Sequence, residues 1–188
     1  MRIWAIAIVL ALLLPVVAVT TVAAHEPGEG HLNRGNGTIT FAQTAIVSGP
    51  TVRSEHTTIE VVKETLTFGG NMTGTAQTIE RDVMHTRTDE GKTITFTTFH
   101  GRGNFTGTLG NNQVTLHIKY EGVKNSTFTR GNFVVSGDTS QMNDIHGEGH
   151  FRGGLTTGER GSSSVNYHMH WTVSTHTEEP EVRDKDKD

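Results

Sequence analysis

Cysteine is absent from the 188-residue chain. That excludes disulfides, a thiolate zinc site, a cysteine hydrolase and anchoring through a lipidated cysteine. Aromatic residues make up only 6%, and there are four prolines. Apolar residues are scarce beyond the N-terminus, because positions 1–24 hold 20 of the roughly 62 that a 33% hydrophobic content implies. A multi-span membrane protein, a long coiled coil and a helical bundle are excluded by that distribution. No cluster of basic residues is visible along the sequence, and the formal net charge is −4. Nucleic acid is therefore not an expected partner.

What is present is threonine, 30 copies, and glycine, 22 copies. The two ends differ from the middle. Residues 1–24 carry Arg2, an apolar run from Ile3 to Val19 and the small residues Val22-Ala23-Ala24, the pattern of a secretory signal peptide. The alternative is an uncleaved anchor, since the run approaches the length of a membrane helix. Either way the expected location is secreted or in the cell envelope, outside the cytoplasm, with membrane contact only through that segment. Residues 25–35 are rich in glycine and read as a flexible linker. Residues 177–188 alternate Asp and Lys after Pro180 and read as a disordered charged tail.

Residues 36–176 alternate as strands do. Val114, Leu116, Ile118 and Tyr120 share one face, and Val165, Tyr167, Met169, Trp171 and Val173 share another. Further strands are expected at 38–46, 57–68, 73–84, 93–100, 104–109, 126–136 and 145–152. Gly-rich or Asn-rich breaks separate them, such as Gly69-Gly70, Asp89-Glu90-Gly91 and Gly110-Asn111-Asn112. Eight or nine short strands in about 140 residues imply an all-β domain, a single antiparallel barrel of about eight strands, with a β-sandwich as the alternative.

The segments Gly101-Arg-Gly-Asn-Phe-Thr-Gly-Thr-Leu109, Gln113-Val-Thr-Leu-His117, Gly131-Asn-Phe-Val-Val-Ser-Gly137 and Asp144-Ile-His-Gly-Glu-Gly-His-Phe151 follow one another in an order that resembles a prokaryotic domain family of unknown function. That family is assigned an allene-oxide-cyclase-like β-barrel, and the resemblance covers about residues 36–175. It implies a fold. It carries no reaction, because the family has none agreed and a fold does not fix a function.

Histidine is the unusual ingredient. His168 and His170 face one way, as do His146, Glu148 and His150. An even-sum hairpin register would bring both sets to one surface, where imidazoles and a carboxylate suit Zn²⁺ or Cu²⁺. The competing reading places them on the wet outer face as polar pairs that need no metal. His25 would become the N-terminus after cleavage at Ala24, and its amine and imidazole together chelate Cu²⁺. Otherwise no cofactor is expected. Catalytic motifs are missing: no Gly-x-Ser-x-Gly, no His-Glu-x-x-His and no dinucleotide fingerprint followed by a helix. Sequons occur at Asn36, Asn71, Asn104 and Asn125, the candidate glycosylation sites.

The leading expectation is a barrel that binds a small apolar ligand, lined by Phe96, Val114, Leu116, Ile118, Tyr120, Tyr167, Met169 and Trp171, with Glu148 as a candidate polar contact. Those side chains equally serve as plain core. The alternative is a structural surface or matrix protein that acts by strand pairing or self-assembly as an oligomer. A metal-binding or cyclase/isomerase-like activity comes third.

Overall fold

The computed structural model describes residues 32–139, 144–154 and 163–174. Eight strands follow one another: β1 (Asn33–Ser54), β2 (Thr57–Gly70), β3 (Met72–Asp89), β4 (Lys92–Leu109), β5 (Asn112–Asn125), β6 (Phe128–Thr139), β7 (Asp144–Gly154) and β8 (Ser163–Ser174). Each pairs antiparallel with its chain neighbour, and β8 returns to β1, so the sheet closes into a barrel. Closure rules out the sandwich. Following paired residues around the ring from Gln43 leads back to β1 at Asn33, ten residues away. Such a stagger is how tilted strands close an eight-stranded ring.

The boundaries differ from the sequence reading in two places. The expected linker ends earlier than position 35, because Asn33 already pairs with Trp171. The stretches 93–100 and 104–109 are one strand, since Gly101 and Gly103 point inward and β4 pairs without interruption through both. The signal segment and the charged tail lie outside the described residues.

Inward-facing glycines explain how so few large side chains fill a barrel. Phe68 lies opposite Gly74, Phe99 opposite Gly122 and Tyr120 opposite Gly101. Phe151 lies opposite Gly131, Phe133 opposite Gly149 and Tyr167 opposite Gly37. Five of these rings lie over the facing glycine's backbone, where a Cβ would stand; the space above Gly74 is taken by Phe105 instead of Phe68. A Cβ built on Gly101 or Gly37 would overlap the facing tyrosine. Rings freed in this way pack on one another: Phe68 stands edge-on to Phe105 at 5.4 Å between centroids, and Phe41 meets Phe151 at 5.6 Å. Tyr167, fully buried, accepts a hydrogen bond from the Met72 backbone N–H at 2.8 Å and ties β8 to β3 across the core.

The two ends of the barrel are unequal. At one end β2–β3 and β4–β5 are joined by tight turns, and Met72, Leu109 and Ile145 close the interior, each fully buried. At the other, β1–β4 run on past the rest of the barrel. β4 pairs with β5 only as far as Phe96, and β1 pairs with β8 only as far as Phe41. The overhang ends in two hairpins, one of them turning at Glu90-Gly91 with both residues at positive φ, as a two-residue hairpin turn of this hand requires. We call this end the mouth.

Candidate functional site

The strand period carries charge into the interior near the mouth. Glu64 continues the inward face of Leu66 and Phe68 on β2. Glu80 and Asp82 continue that of Ala76 and Thr78 on β3, and Lys124 follows Tyr120 and Gly122 on β5. Glu64, Glu80 and Asp82 are all buried, Glu80 to within 1%. Lys124 Nζ donates to Glu80 Oε1 at 2.8 Å and lies 2.9 Å from Asp82 Oδ2. Its ammonium also sits 5.2 Å from the centroid of the Phe99 ring. Tyr120 OH lies 3.1 Å from Thr78 Oγ1 and 3.5 Å from Glu64 Oε2.

Three carboxyls share one cation in this space. Burial, reinforced by the charge of Glu64 and opposed by Lys124, pushes the Glu80 carboxyl up to about 9, so it stays protonated at neutral pH. Glu64 is raised for the same first reason. The Tyr120 hydroxyl is held protonated by burial and by both glutamates. For Lys124, burial is the largest influence and acts downward. Glu80 and Asp82 together outweigh it, and the ammonium is stabilised. Three buried polar atoms, Glu80 Oε2, Asp82 Oδ1 and Thr129 Oγ1, have no hydrogen-bond partner among the described residues. Thr129 is the direct cross-strand neighbour of Lys124, so the unpaired atoms belong to the same end of the barrel.

The expected lining residues divide. Val114, Leu116, Ile118, Tyr120, Tyr167, Met169 and Trp171 all face inward and are buried. They belong to one continuous packed core, with Tyr167 and Phe133 in edge contact at 5.9 Å. Phe96 does not join them. It is 46% exposed on the outer face, stacked on His85 with centroids 5.0 Å apart. The reason is parity: Phe99 points inward, so a residue three places away points outward. Glu148 is also on the outer wall, not in the interior.

The histidines meet on the outer wall through an even-sum register. Glu148 pairs with His170 and His150 with His168, while His146 lies opposite Thr172. His170 Nε2 is 3.0 Å from Glu148 Oε1, and the rings of His150 and His168 are 5.4 Å apart. They edge a shallow groove of about 450 Å³. They stand as two pairs, and among the described residues no group of three His, Cys, Asp or Glu is placed to hold a metal ion. His25 lies outside the described residues.

Of the sequons, Asn36, Asn71 and Asn104 are exposed, and Asn71 Oδ1 accepts from the Asn36 backbone N–H at 3.0 Å. The Asn125 side chain is engaged in its own turn, accepting from Thr127 and Phe128 N–H groups at 2.8 and 3.0 Å.

The sequence reading found no basic face, and the structure corrects this. Arg81, Arg102 and Lys119 stand side by side on β3, β4 and β5, around a groove of about 700 Å³ floored partly by Val61, Ile79 and Val134. Bases 17 to 21 positions apart in the chain become neighbours once strands lie next to each other.

These features define a class: a closed eight-stranded antiparallel barrel with an aromatic interior, a buried ionic cluster at its mouth and a basic outer wall. No family model and no curated protein matches the chain.

Proposed function

We propose that this protein is a secreted or envelope-associated barrel that binds a small amphiphilic molecule at its mouth. The observation that carries the reading is the trio of unpaired atoms, Glu80 Oε2, Asp82 Oδ1 and Thr129 Oγ1. Buried polar atoms are almost always satisfied, and an unsatisfied set in one place suits a hydrogen-bonding ligand. The head group it suits is neutral. Glu80 is protonated at neutral pH and can donate to Glu64 or Asp82 beside it or to a ligand inserted between them, Asp82 offers an acceptor, and the Asp82 carboxylate is already paired with Lys124. An alcohol or amide meets both demands without bringing a second charge into a low-dielectric space.

The apolar part of the ligand lies outside the core, because the expected lining residues already pack against each other. The overhang supplies a surface for it. Ile46 pairs with the inward-facing Val62, and Val52 pairs with Thr58, so both face the concave side. They are 56% and 71% exposed. The closed eight-stranded meander supports the resemblance of residues 36–175 to the allene-oxide-cyclase-like barrels, as a likeness of fold.

The test is NMR titration of the mature protein with dodecanol, dodecanoate and dodecane. Dodecanol is expected to perturb resonances of Lys124, Thr129 and Ile46, and Asp82→Asn to weaken it. Equal binding of dodecane, or shifts confined to the outer wall, would sink the reading.

A second reading, strand pairing between copies, is favoured by the β1 edge beyond Phe41, where Ile46, Val47 and Val52 are exposed. Four register shifts interrupt this stretch, and interrupted edges resist pairing. Sedimentation decides: a monomer at high concentration excludes assembly as the working chemistry.

A further inference from the structure

The basic wall extends well beyond the Arg81–Lys119 cluster. Outward-facing bases occur on seven successive strands, one on the barrel wall of each: Arg34 on β1, Lys63 on β2, Arg81 on β3, Arg102 on β4, Lys119 on β5, Arg130 on β6 and Arg152 on β7. All seven are exposed, and none has an ion-pair partner among the described residues. Strands β5, β6 and β7 carry four outward acids: Glu121 and Glu148 among the bases, and Asp138 and Asp144, which face each other toward the closed end. Glu121 is engaged with His100 at 3.6 Å and Glu148 with His170 at 3.0 Å.

The placement of these bases is costly. Arg102 lies directly opposite Lys119, and Arg130 directly opposite Arg152. Like charges at facing positions of an antiparallel pair destabilise the sheet. An acid at one position of each pair would remove the repulsion. Two such pairs on one wall, unrelieved by neighbours, point to a partner that supplies the negative charge.

From this arrangement we propose that the outer wall is a docking belt for an acidic polysaccharide. The shape of the belt selects among polyanions. The bases encircle the barrel, whereas a planar anionic membrane or a straight nucleic-acid duplex touches a curved wall along only a few strands. A flexible linear chain can follow the ring. Single-stranded nucleic acid would also be flexible, but its binding relies on aromatic side chains on which bases stack. The two exposed phenylalanines are already occupied: Phe96 is stacked on His85, and the Phe128 ring lies against Arg130, 5.6 Å from its guanidinium carbon. A carboxylated glycan needs no such platform. Charge complementarity with seven bases is sufficient, and its affinity falls with salt as contacts are screened.

The experiment measures binding of the mature protein to polygalacturonate fragments of graded length, by fluorescence anisotropy at low and physiological salt. Dextran, oligo-dT and vesicles containing phosphatidylglycerol serve as competitors. Affinity is expected to rise with fragment length, because the bases are spread around the ring, and to fall as salt increases. A fourfold variant, Arg102→Gln, Lys119→Gln, Arg130→Gln and Arg152→Gln, should bind about tenfold or more weakly. Its Tm should hold or rise, since two repulsive pairs are gone, which separates loss of binding from loss of folding. Arg53→Gln with Lys92→Gln, on the overhanging strands, should bind as the parent does. The proposal is overturned if dextran competes equally, if the fourfold variant binds normally, or if oligo-dT or vesicles bind and polygalacturonate does not.

Discussion

Lys124 on β5 and Glu80 on β3 are held 2.8 Å apart inside the barrel, although β4 runs between their strands. The lysine therefore spans a full strand to reach its partner, and it also serves Asp82. Among the described residues it is the cation of the buried cluster. Lys124→Met leaves carboxyls with no counter-charge in a buried space. The expected loss is about 3–5 kcal/mol at pH 7, because an unpaired buried charge costs more than a buried pair contributes. Urea unfolding measures it. An unchanged midpoint at pH 7 would mean that water reaches the cluster freely.

The same cluster gives stability a slope in pH. Glu80 ordinarily titrates near 4.5 and is raised to about 9 in the folded protein. The folded state therefore keeps a proton that the unfolded state gives up. The stability this contributes is complete below pH 4.5 and is lost as pH rises toward 9. Glu64 acts in the same direction, and the upward shift of Lys124 leaves it charged throughout this window. Thermal scans should show Tm falling from pH 5 to pH 9, by about 10 °C. Glu80→Gln should flatten the slope. A parent protein as stable at pH 9 as at pH 5 would contradict the protonated state.

Tyr167 is a second cross-core link that a single atom can test. Its hydroxyl accepts from the Met72 N–H at 2.8 Å and donates to the Met72 carbonyl at 3.5 Å. Tyr167→Phe keeps the ring and strands a buried backbone N–H, at an expected cost of about 1–3 kcal/mol. Hydrogen exchange at Met72 should accelerate in the variant. Unaltered exchange would show that the amide has another acceptor.

The glycine–aromatic pairs should behave as units. Gly101→Ala places a methyl group against Tyr120 and should destabilise by about 1–3 kcal/mol or more. Combined with Tyr120→Leu, which opens the space, the two changes should cost less together than the sum of each alone. Strict additivity in chemical denaturation would show that the ring does not depend on the glycine.

Much of this architecture can be read from alternation alone. β5 and β8 show one apolar face without interruption, and their inward sets are as the sequence implies. The gap that composition suggests at Gly101–Gly103 is continuous strand, because an inward glycine under Tyr120 looks like a turn when only composition is considered. The interior charges were legible by the same rule, since Glu64 lies two places from Leu66 and Lys124 four from Tyr120. The ordinary preference of charged groups for water argued the other way, and here tertiary pairing overrode it. The basic wall was not legible. One base per strand is dispersed along the chain, and only the register makes neighbours of Arg102 and Lys119.

The ring-closing pair of β1 and β8 has a further consequence. Every other pair joins consecutive strands, and β1 begins at the end of the barrel where β8 finishes. The strand order is thus cyclic, with no privileged starting point. A gene that joined Ser174 to Asn33 through a short linker and opened the chain at Glu90-Gly91 would encode the same neighbours in the same sequence around the barrel. The interior rings would meet the same glycines, and Lys124 the same carboxyls. Circular permutation is therefore a natural way to engineer this scaffold, moving the opening in the strand ring from between β8 and β1 to an overhanging hairpin without rewriting any pair.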